Sequence, residues 1–145
     1  MVNPQPCAFE KALLARRCAC SLAQRQNIAE REAVACVAPA AQEQCAALRA
    51  LLRQKSAFAL KVTQAEARLP HALEMKLQCG GLQGVQLATD PEGLSGQAGA
   101  GPAVGDVHEL VRASADKFGG LANLPYSAIV QSVAAYQIRR RSARA

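Results

Sequence analysis

Cysteine content constrains this chain more than any other feature of its sequence. Six cysteines occur in 145 residues, and the first five lie within positions 7–45. They are Cys7, Cys18, Cys20, Cys36, Cys45 and Cys79. The segment from Met1 to Pro6 lacks the basic and apolar stretches of a secretory signal, so we expect a cytoplasmic protein in a reducing compartment. There, clustered cysteines indicate a metal site more often than a disulfide framework.

The rest of the composition is typical of one small domain. The length allows one modest hydrophobic core, but the chain has no Trp and only 3% aromatic residues. A core with so few large side chains packs weakly, so we expect a bound cofactor or partner to supply part of the stability. No apolar run reaches the roughly 18 residues needed to cross a bilayer.

Helical patterns cover most of the sequence, and we find no convincing alternation of the kind that predicts strands. The predicted class is therefore all-α, with about five helices. The segment 26–40 is ambiguous, with a short helix possible at 28–35. The predicted helices span 9–25, 40–62, 70–79 with a possible extension to 88, 106–118, and a last helix that begins at Pro125 and ends near 138.

Small residues prolong the apolar face of the helix that starts at Pro70. They are Gly80, Gly81, Gly84 and Ala88. Each glycine costs about 1 kcal/mol relative to alanine inside a helix. We therefore expect this groove of small residues to exist because another segment, or a partner protein, approaches it closely.

We expect a single domain, 1–145, with four parts. Residues 1–62 form a Cys-rich half, 90–105 a flexible Gly-rich loop, 106–138 the C-terminal helices and 139–145 a basic tail. Asp106 has the position of an N-cap, with Glu109 three residues later as in a capping box, and Gly119 and Gly120 end that helix.

The basic tail suggests a partner of opposite charge. It contains Arg139, Arg140, Arg141 and Arg144, in a chain of net charge +6. A solvated chain end is the ordinary interpretation, and contact with an acidic protein or with phospholipid headgroups is the alternative. No aromatic residues alternate with these arginines, so the tail does not predict nucleic-acid binding.

Helical geometry limits which cysteines can act together. If Cys18 and Cys20 lay in one helix, their side chains would point about 200° apart, so one of them is a spare. Cys7 and Cys18 in that same helix would be about 16 Å apart, so Cys7 must belong to the preceding proline-bounded loop if it is a ligand together with Cys18 or Cys20. The predicted ligands are Cys7, Cys20, Cys36 and Cys45, with Cys79 and Cys18 in reserve.

Four thiolates suit a [4Fe–4S] cluster, and we expect nearby arginines to offset its negative charge. These are Arg16, Arg17, Arg25, Arg31 and Arg49. No C-x₂-C pair occurs, so the spacing matches neither a bacterial ferredoxin nor a zinc ribbon. Three other interpretations stay open: structural zinc, a reactive redox thiol, and cysteines that simply pack in the core.

No catalytic signature appears in the sequence, and we do not expect an enzyme. His71 and His108 each follow the start of a predicted helix, without a second Cys or His at metal-binding spacing. We therefore predict that both are surface or capping histidines. The glycines at 96–101 lack the lysine and the preceding strand of a phosphate-binding loop.

Several segments resemble a small proteobacterial family of Cys-rich proteins. The resemblance is carried by 7–36, 45–53, 58–61, 78–82 and 124–130. It implies a cytosolic iron–sulfur or accessory protein, such as a peripheral subunit of an Rnf-type redox complex. It also implies thiolate ligands at Cys7, Cys20, Cys36 and Cys45, with Cys18 making the second position ambiguous.

The leading hypothesis is thus a cluster-binding electron-transfer or accessory subunit of a larger redox complex. Its partners would be protein subunits, with membrane-surface contact through the basic tail, and its place would be the cytoplasm or the inner-membrane periphery. The alternatives are a metal-free helical adaptor that binds a partner through the glycine groove and tail, and a structural zinc protein.

Overall fold

The computed structural model describes residues 6–15, 18–28, 31–61, 69–90 and 104–136. This part of the chain is mostly helical, as predicted, and contains five helices. In chain order its elements are α1 (Glu10–Leu14), β1 (Ala23–Ile28), β2 (Arg31–Cys36), α2 (Pro39–Lys55), α3 (residues 71–89), α4 (Val107–Phe118) and α5 (Tyr126–Ala135). A short 3₁₀ turn, Leu121–Asn123, connects α4 to α5.

A β-hairpin makes the all-α prediction wrong in one element. Strands β1 and β2 pair antiparallel, with Ala23 opposite Cys36. Ala33, Val34 and Ala35 are all buried, so β2 is covered on both faces. Such a strand shows no alternation of apolar and polar residues, which explains why 28–35 resembles a short helix in sequence.

The first helix is much shorter than the predicted 9–25. It ends after Leu14, and residues 18–21 instead lie beside the segment that leads into α4. The Ala19 N–H donates to the Val104 carbonyl at 2.9 Å, and the Val107 N–H donates to the Ala19 carbonyl at 2.8 Å. Cys18 and Cys20 therefore belong to an extended segment, and the helical geometry expected for them does not apply.

The central helices start where the prolines predict. Pro39 lies in the first turn of α2, where its missing N–H costs nothing. Helix α2 ends at Lys55, before the predicted end at Val62, which lies outside the described residues. Helix α3 follows Pro70 and continues through a π-helical turn, Lys76–Gly80, into Gly81–Thr89.

The glycine groove of α3 is occupied by this chain's own last helix. A Cβ built on Gly80 would lie 2.8 Å from the Val133 Cα and 2.9 Å from the Ser132 carbonyl oxygen. A Cβ on Gly84 would lie 3.1 Å from the Ile129 Cα. The expectation of a close approach is confirmed, and α5 is the element that makes it.

The ends of α4 are set by the residues that flank it. Gly119 adopts a left-handed φ of 77° and ends the helix, as predicted. Asp106 occupies the predicted N-cap position. The backbone N–H groups of His108 and Glu109 help to lower the pKa of its carboxyl, although neither makes a capping hydrogen bond of normal geometry. The Asp106 carboxylate instead accepts hydrogen bonds from the Ser21 N–H and hydroxyl, at 3.0 and 3.2 Å.

Helix α3 is central, since α1, α2, α4 and α5 all contact it. One core joins both halves of the sequence, from Phe9 and Leu13 through Leu48 to Ile129 and Val133. Most of the predicted Gly-rich loop (91–103), the end of the last predicted helix (137–138) and the basic tail (139–145) lie outside the described residues.

Candidate metal centre

The four predicted ligands come from four different segments. Cys7 precedes α1, where its N–H donates to the Val34 carbonyl at 3.0 Å, so it lies in a loop as predicted. Cys20 precedes β1, Cys36 is the last residue of β2, and Cys45 lies in the second turn of α2. The chain must therefore fold before these cysteines can meet.

One pocket brings these four cysteines together. Cys7, Cys20, Cys36 and Cys45 all line it, beside apolar residues such as Leu22. The pocket is partly open, and its empty volume of about 320 Å³ includes solvent at its mouth. Cys20 and Cys36 are half-buried, and Cys45 is buried. The pocket can thus present several sulfurs to one bound group.

Two helices begin at this pocket. Ala41 and Gln42, in the first turn of α2, and Val107 and His108, in the first turn of α4, are part of its lining. The N-terminus of a helix carries a partial positive charge and unpaired backbone N–H groups. Both helix ends therefore favour negative charge on the sulfurs or on a group bound between them.

Burial raises the pKa of three of the pocket thiols, Cys7, Cys20 and Cys45. It raises the pKa of Cys7 to about 11 and that of Cys45 to about 12, and neighbouring cysteines add to both shifts. Burial also raises the pKa of Cys20, although the backbone N–H groups of Leu22 and His108 oppose the shift by hydrogen bonding. A bound cation would have to displace these protons.

Cys18 and Cys79, the two reserve ligands, lie elsewhere. Neither lines the pocket, and their exposed fractions are only 4% and 3%. Burial raises the pKa of Cys18, and the nearby Cys79 thiol raises it further. Both side chains belong to the hydrophobic core, which is the packing role that the sequence left open for cysteine.

The described arginines do not compensate the pocket as expected. Arg49 binds Glu74 through two hydrogen bonds of 2.7 and 2.6 Å. Arg25 binds the Leu13 carbonyl at 2.8 Å and Glu32 at 3.2 Å. Arg16 and Arg17, and the side chain of Arg31, lie outside the described residues. Two carboxylates act on the pocket thiols as well: Glu10 raises the pKa of Cys7, and Asp106 raises that of Cys20.

His108 is the pocket residue that sequence reasoning missed. It was predicted to be a surface or capping histidine, yet it lines the pocket with the four cysteines. The sequence did place His108 in the first turn of a helix. It contained no indication that this turn lies next to Cys20 in the folded chain. The pairing comes from the backbone hydrogen bonds of Ala19, which are tertiary contacts.

The cysteines share a pocket without forming a compact site for one ion. Within the part of the chain that the structure describes, no group of three or more His, Cys, Asp or Glu side chains is arranged to hold a metal ion. Metal binding would therefore require the thiols to draw closer together or a larger group to bridge them.

No family model, curated protein or solved structure matches the chain. The resemblance to a Cys-rich redox family stays a prediction. No helix among the described residues is long and apolar enough to cross a membrane.

Proposed function

We propose that this chain binds a [4Fe–4S] cluster through Cys7, Cys20, Cys36 and Cys45, and serves as an electron-transfer or accessory subunit of a larger redox complex. The observation that carries the proposal is the convergence of these four thiols, from four segments, on one pocket. Thiolate sulfur is the ligand that iron–sulfur clusters use.

Two properties of the pocket suit a cluster with negative charge. The first turns of α2 and α4 line the pocket, and the N-terminus of a helix carries a partial positive charge. The backbone N–H of Phe9 acts to lower the pKa of Cys7, and the backbone N–H groups of Leu22 and His108 act to lower that of Cys20. Such N–H groups stabilise a thiolate and help to set the reduction potential of a bound cluster.

Four thiolates also make up one common structural zinc site. Zinc bound at about 2.3 Å from each thiolate would require the four sulfurs to be neighbours, about 3.8 Å apart. A [4Fe–4S] cluster instead binds each thiolate to a different iron, so the two sites differ in metal and in acid-labile sulfide. Zinc is the competing outcome that metal analysis would detect.

When bound, the cluster would take up and release one electron. The chain would hold it, keep bulk water from most of its surface and offset its charge. Val37, directly after Cys36, has a side chain that is 56% exposed, so one ligand lies next to the protein surface. This placement supports electron exchange with a docked protein, and the proposal assigns no catalytic residue.

A matched pair of cysteine variants tests the ligand set. We expect Cys36→Ser to lose the brown colour of anaerobically purified protein, because it removes a pocket thiolate. Cys18→Ser should keep the colour, because Cys18 lies in the core. Equal colour in both variants, or loss in Cys18→Ser alone, would contradict this assignment.

The electron-transfer part needs a separate test. We expect the loaded protein to be reduced by dithionite and reoxidised with no loss of iron, as followed by EPR and iron analysis. Release of iron on the first reduction would contradict a carrier role and leave the cluster with a structural one.

A further inference from the structure

Backbone hydrogen bonds join the residue before Cys20 to the start of α4. The Ala19 N–H donates to the Val104 carbonyl at 2.9 Å, and the Val107 N–H donates to the Ala19 carbonyl at 2.8 Å. Any residue other than proline can make such bonds, because they use only main-chain groups. This part of the attachment therefore needs no particular side chain.

The residue after Cys20 is joined to α4 by a side chain. One oxygen of the Asp106 carboxylate accepts two hydrogen bonds, from the Ser21 N–H at 3.0 Å and from the Ser21 hydroxyl at 3.2 Å. Ser21 is exposed, so burial does not hold it there. Burial acts to raise the pKa of the Asp106 carboxyl, but hydrogen bonds, led by those from Ser21, keep that pKa below its usual value. The acceptor is therefore ionised at neutral pH, and bonds to an ionised group are about twice as strong as neutral ones.

The turn that follows Cys20 has further hydrogen bonds, but they lead away from α4. The Ala23 N–H donates to the Cys20 carbonyl at 3.2 Å, a bond inside the turn. The Val37 N–H donates to the Leu22 carbonyl at 3.0 Å, which joins the turn to the end of the hairpin. The Cys20 side chain is itself only half-buried. The position of Cys20 relative to α4 therefore depends on the residues on either side of it.

We propose that Asp106 is a positioning residue, which holds the Cys20 thiol in the wall of the pocket through its bonds to Ser21. The inference concerns the arrangement of the pocket, whatever group binds there, so it goes beyond the proposed function and does not depend on it. Without the Asp106 acceptor, the segment 18–21 keeps its backbone bonds to α4 but loses the two bonds from Ser21. It should then separate from α4 more often, by a local opening that leaves the core folded.

Hydrogen exchange tests whether Asp106 holds this segment. The full chain, freed of metal by chelation, is compared with Asp106→Gly, which removes the acceptor but keeps a residue that helices tolerate at the N-cap. We expect the Ala19 amide to exchange about tenfold faster in the variant, and the amide of the fully buried Val85, in α3, to keep its rate. Asp106→Asn retains an oxygen that can accept both bonds and should restore most of the protection. Asp116→Ala is the matched control, because this exposed carboxylate of α4 pairs with Arg112.

Alkylation tests whether the Cys20 thiol follows the backbone. Burial raises the pKa of Cys20, which makes the thiol slow to react in the closed pocket wall. Iodoacetamide should modify Cys20 severalfold faster in Asp106→Gly than in the unmodified chain, as measured by mass spectrometry. Cys79 is the internal control, because it is buried in the core and should react no faster.

Three outcomes would overturn the inference. The first is an unchanged exchange rate at Ala19 in Asp106→Gly, and the second is unchanged alkylation of Cys20 despite faster exchange. The third is an equal rise at Val85 and Cys79, which would mean a general loss of stability instead of a local opening.

The variant Ser21→Ala keeps the test decisive if Asp106→Gly does not fold. It removes one of the two bonds, so both readouts should shift in the same direction by a smaller factor. Equal rates in Ser21→Ala and the unmodified chain would then overturn the inference. A chain that binds no iron would contradict the proposed function and leave this inference intact.

Discussion

Phe9 and Phe58 carry the same side chain in opposite surroundings. Phe9 is fully buried in the core, whereas Phe58 is 95% exposed. We expect Phe9→Ala to lower the free energy of unfolding by about 3–5 kcal/mol, because it leaves a cavity. Phe58→Ala should change that free energy by no more than about 0.5 kcal/mol. Urea unfolding of both variants measures the difference, and similar losses would contradict the placement of the two residues.

Glu74 links three helices through hydrogen bonds. Its carboxylate accepts two hydrogen bonds from the Arg49 guanidinium and one, at 2.6 Å, from the side-chain NH₂ of Gln78. The side-chain oxygen of Gln78 in turn accepts a hydrogen bond from the Ala12 backbone N–H at 3.0 Å. Burial alone would raise the pKa of Glu74, but the bonds from Arg49 and Gln78 more than offset it, and the pKa lies below its usual 4.5.

The sign of the resulting pH dependence follows. A carboxyl with a lowered folded-state pKa stabilises the protein above the unfolded pKa of about 4.3, and this contribution is lost as the pH falls through the folded-state value. We expect Glu74→Gln to cost about 1–3 kcal/mol at pH 7 and to show a smaller loss of stability below pH ~4.5 than the unmodified protein. Urea titrations at several pH values measure both effects.

The exposed pair of Arg25 and Glu32 provides a control for this prediction. Its side chains are 36% and 47% exposed, and exposed pairs contribute under about 1 kcal/mol. Glu32→Gln should therefore change stability little at pH 7. An equal loss in both variants would contradict a special role for Glu74.

Single-residue reasoning predicted part of the candidate site. Cys7 lies in a loop as predicted, although the distance argument assumed a helix through Cys18 that ends at Leu14 in the structure. Cys20 lines the pocket as predicted, but not from a helix. Its segment is extended and is hydrogen-bonded to the start of α4, a tertiary contact that the sequence does not reveal. The same tertiary contact explains why His108 was missed.

At the scale of elements, prolines and glycines predicted boundaries better than apolar patterns did. Pro39, Pro70, Pro125 and Gly119 all lie where a helix starts or ends, because their backbone preferences are local. The hairpin was missed because β2 is buried on both faces, and because β1 consists largely of Gln, Arg and Asn, which do not signal a strand. Burial is set by tertiary packing and has no local signature here.

The contact between α3 and α5 yields a prediction about Gly80. Its Cβ would lie 2.8 Å from backbone in α5, so Gly80→Ala forces the helices apart. Overpacking of this kind costs about 1–3 kcal/mol, which outweighs the gain of about 1 kcal/mol in helix propensity. We expect a lower midpoint of thermal unfolding in this variant.

Gly105 is the matched control, because a Cβ there would have no atom within 4 Å. Gly105→Ala should leave the midpoint of thermal unfolding nearly unchanged. If Gly80→Ala were as stable as Gly105→Ala, the close packing of α3 on α5 would be wrong.

At the scale of the whole molecule, the proposed cluster would join segments that are far apart in sequence. Its ligands come from the N-terminal loop, the hairpin and α2, and its pocket also includes the start of α4. A group that binds only the folded state stabilises it. We expect cluster loading to raise the midpoint of thermal unfolding by roughly 5–10 °C, as measured by circular dichroism. The Cys36→Ser variant, treated identically, should show no increase.

The central claim is that the pocket thiols bind an iron–sulfur cluster. The most direct test is anaerobic purification followed by iron, acid-labile sulfide and zinc analysis, with an absorption spectrum. We predict about four irons and four sulfides per chain, with a broad band near roughly 400 nm. Stoichiometric zinc without iron, or a folded protein with no metal, would contradict the claim.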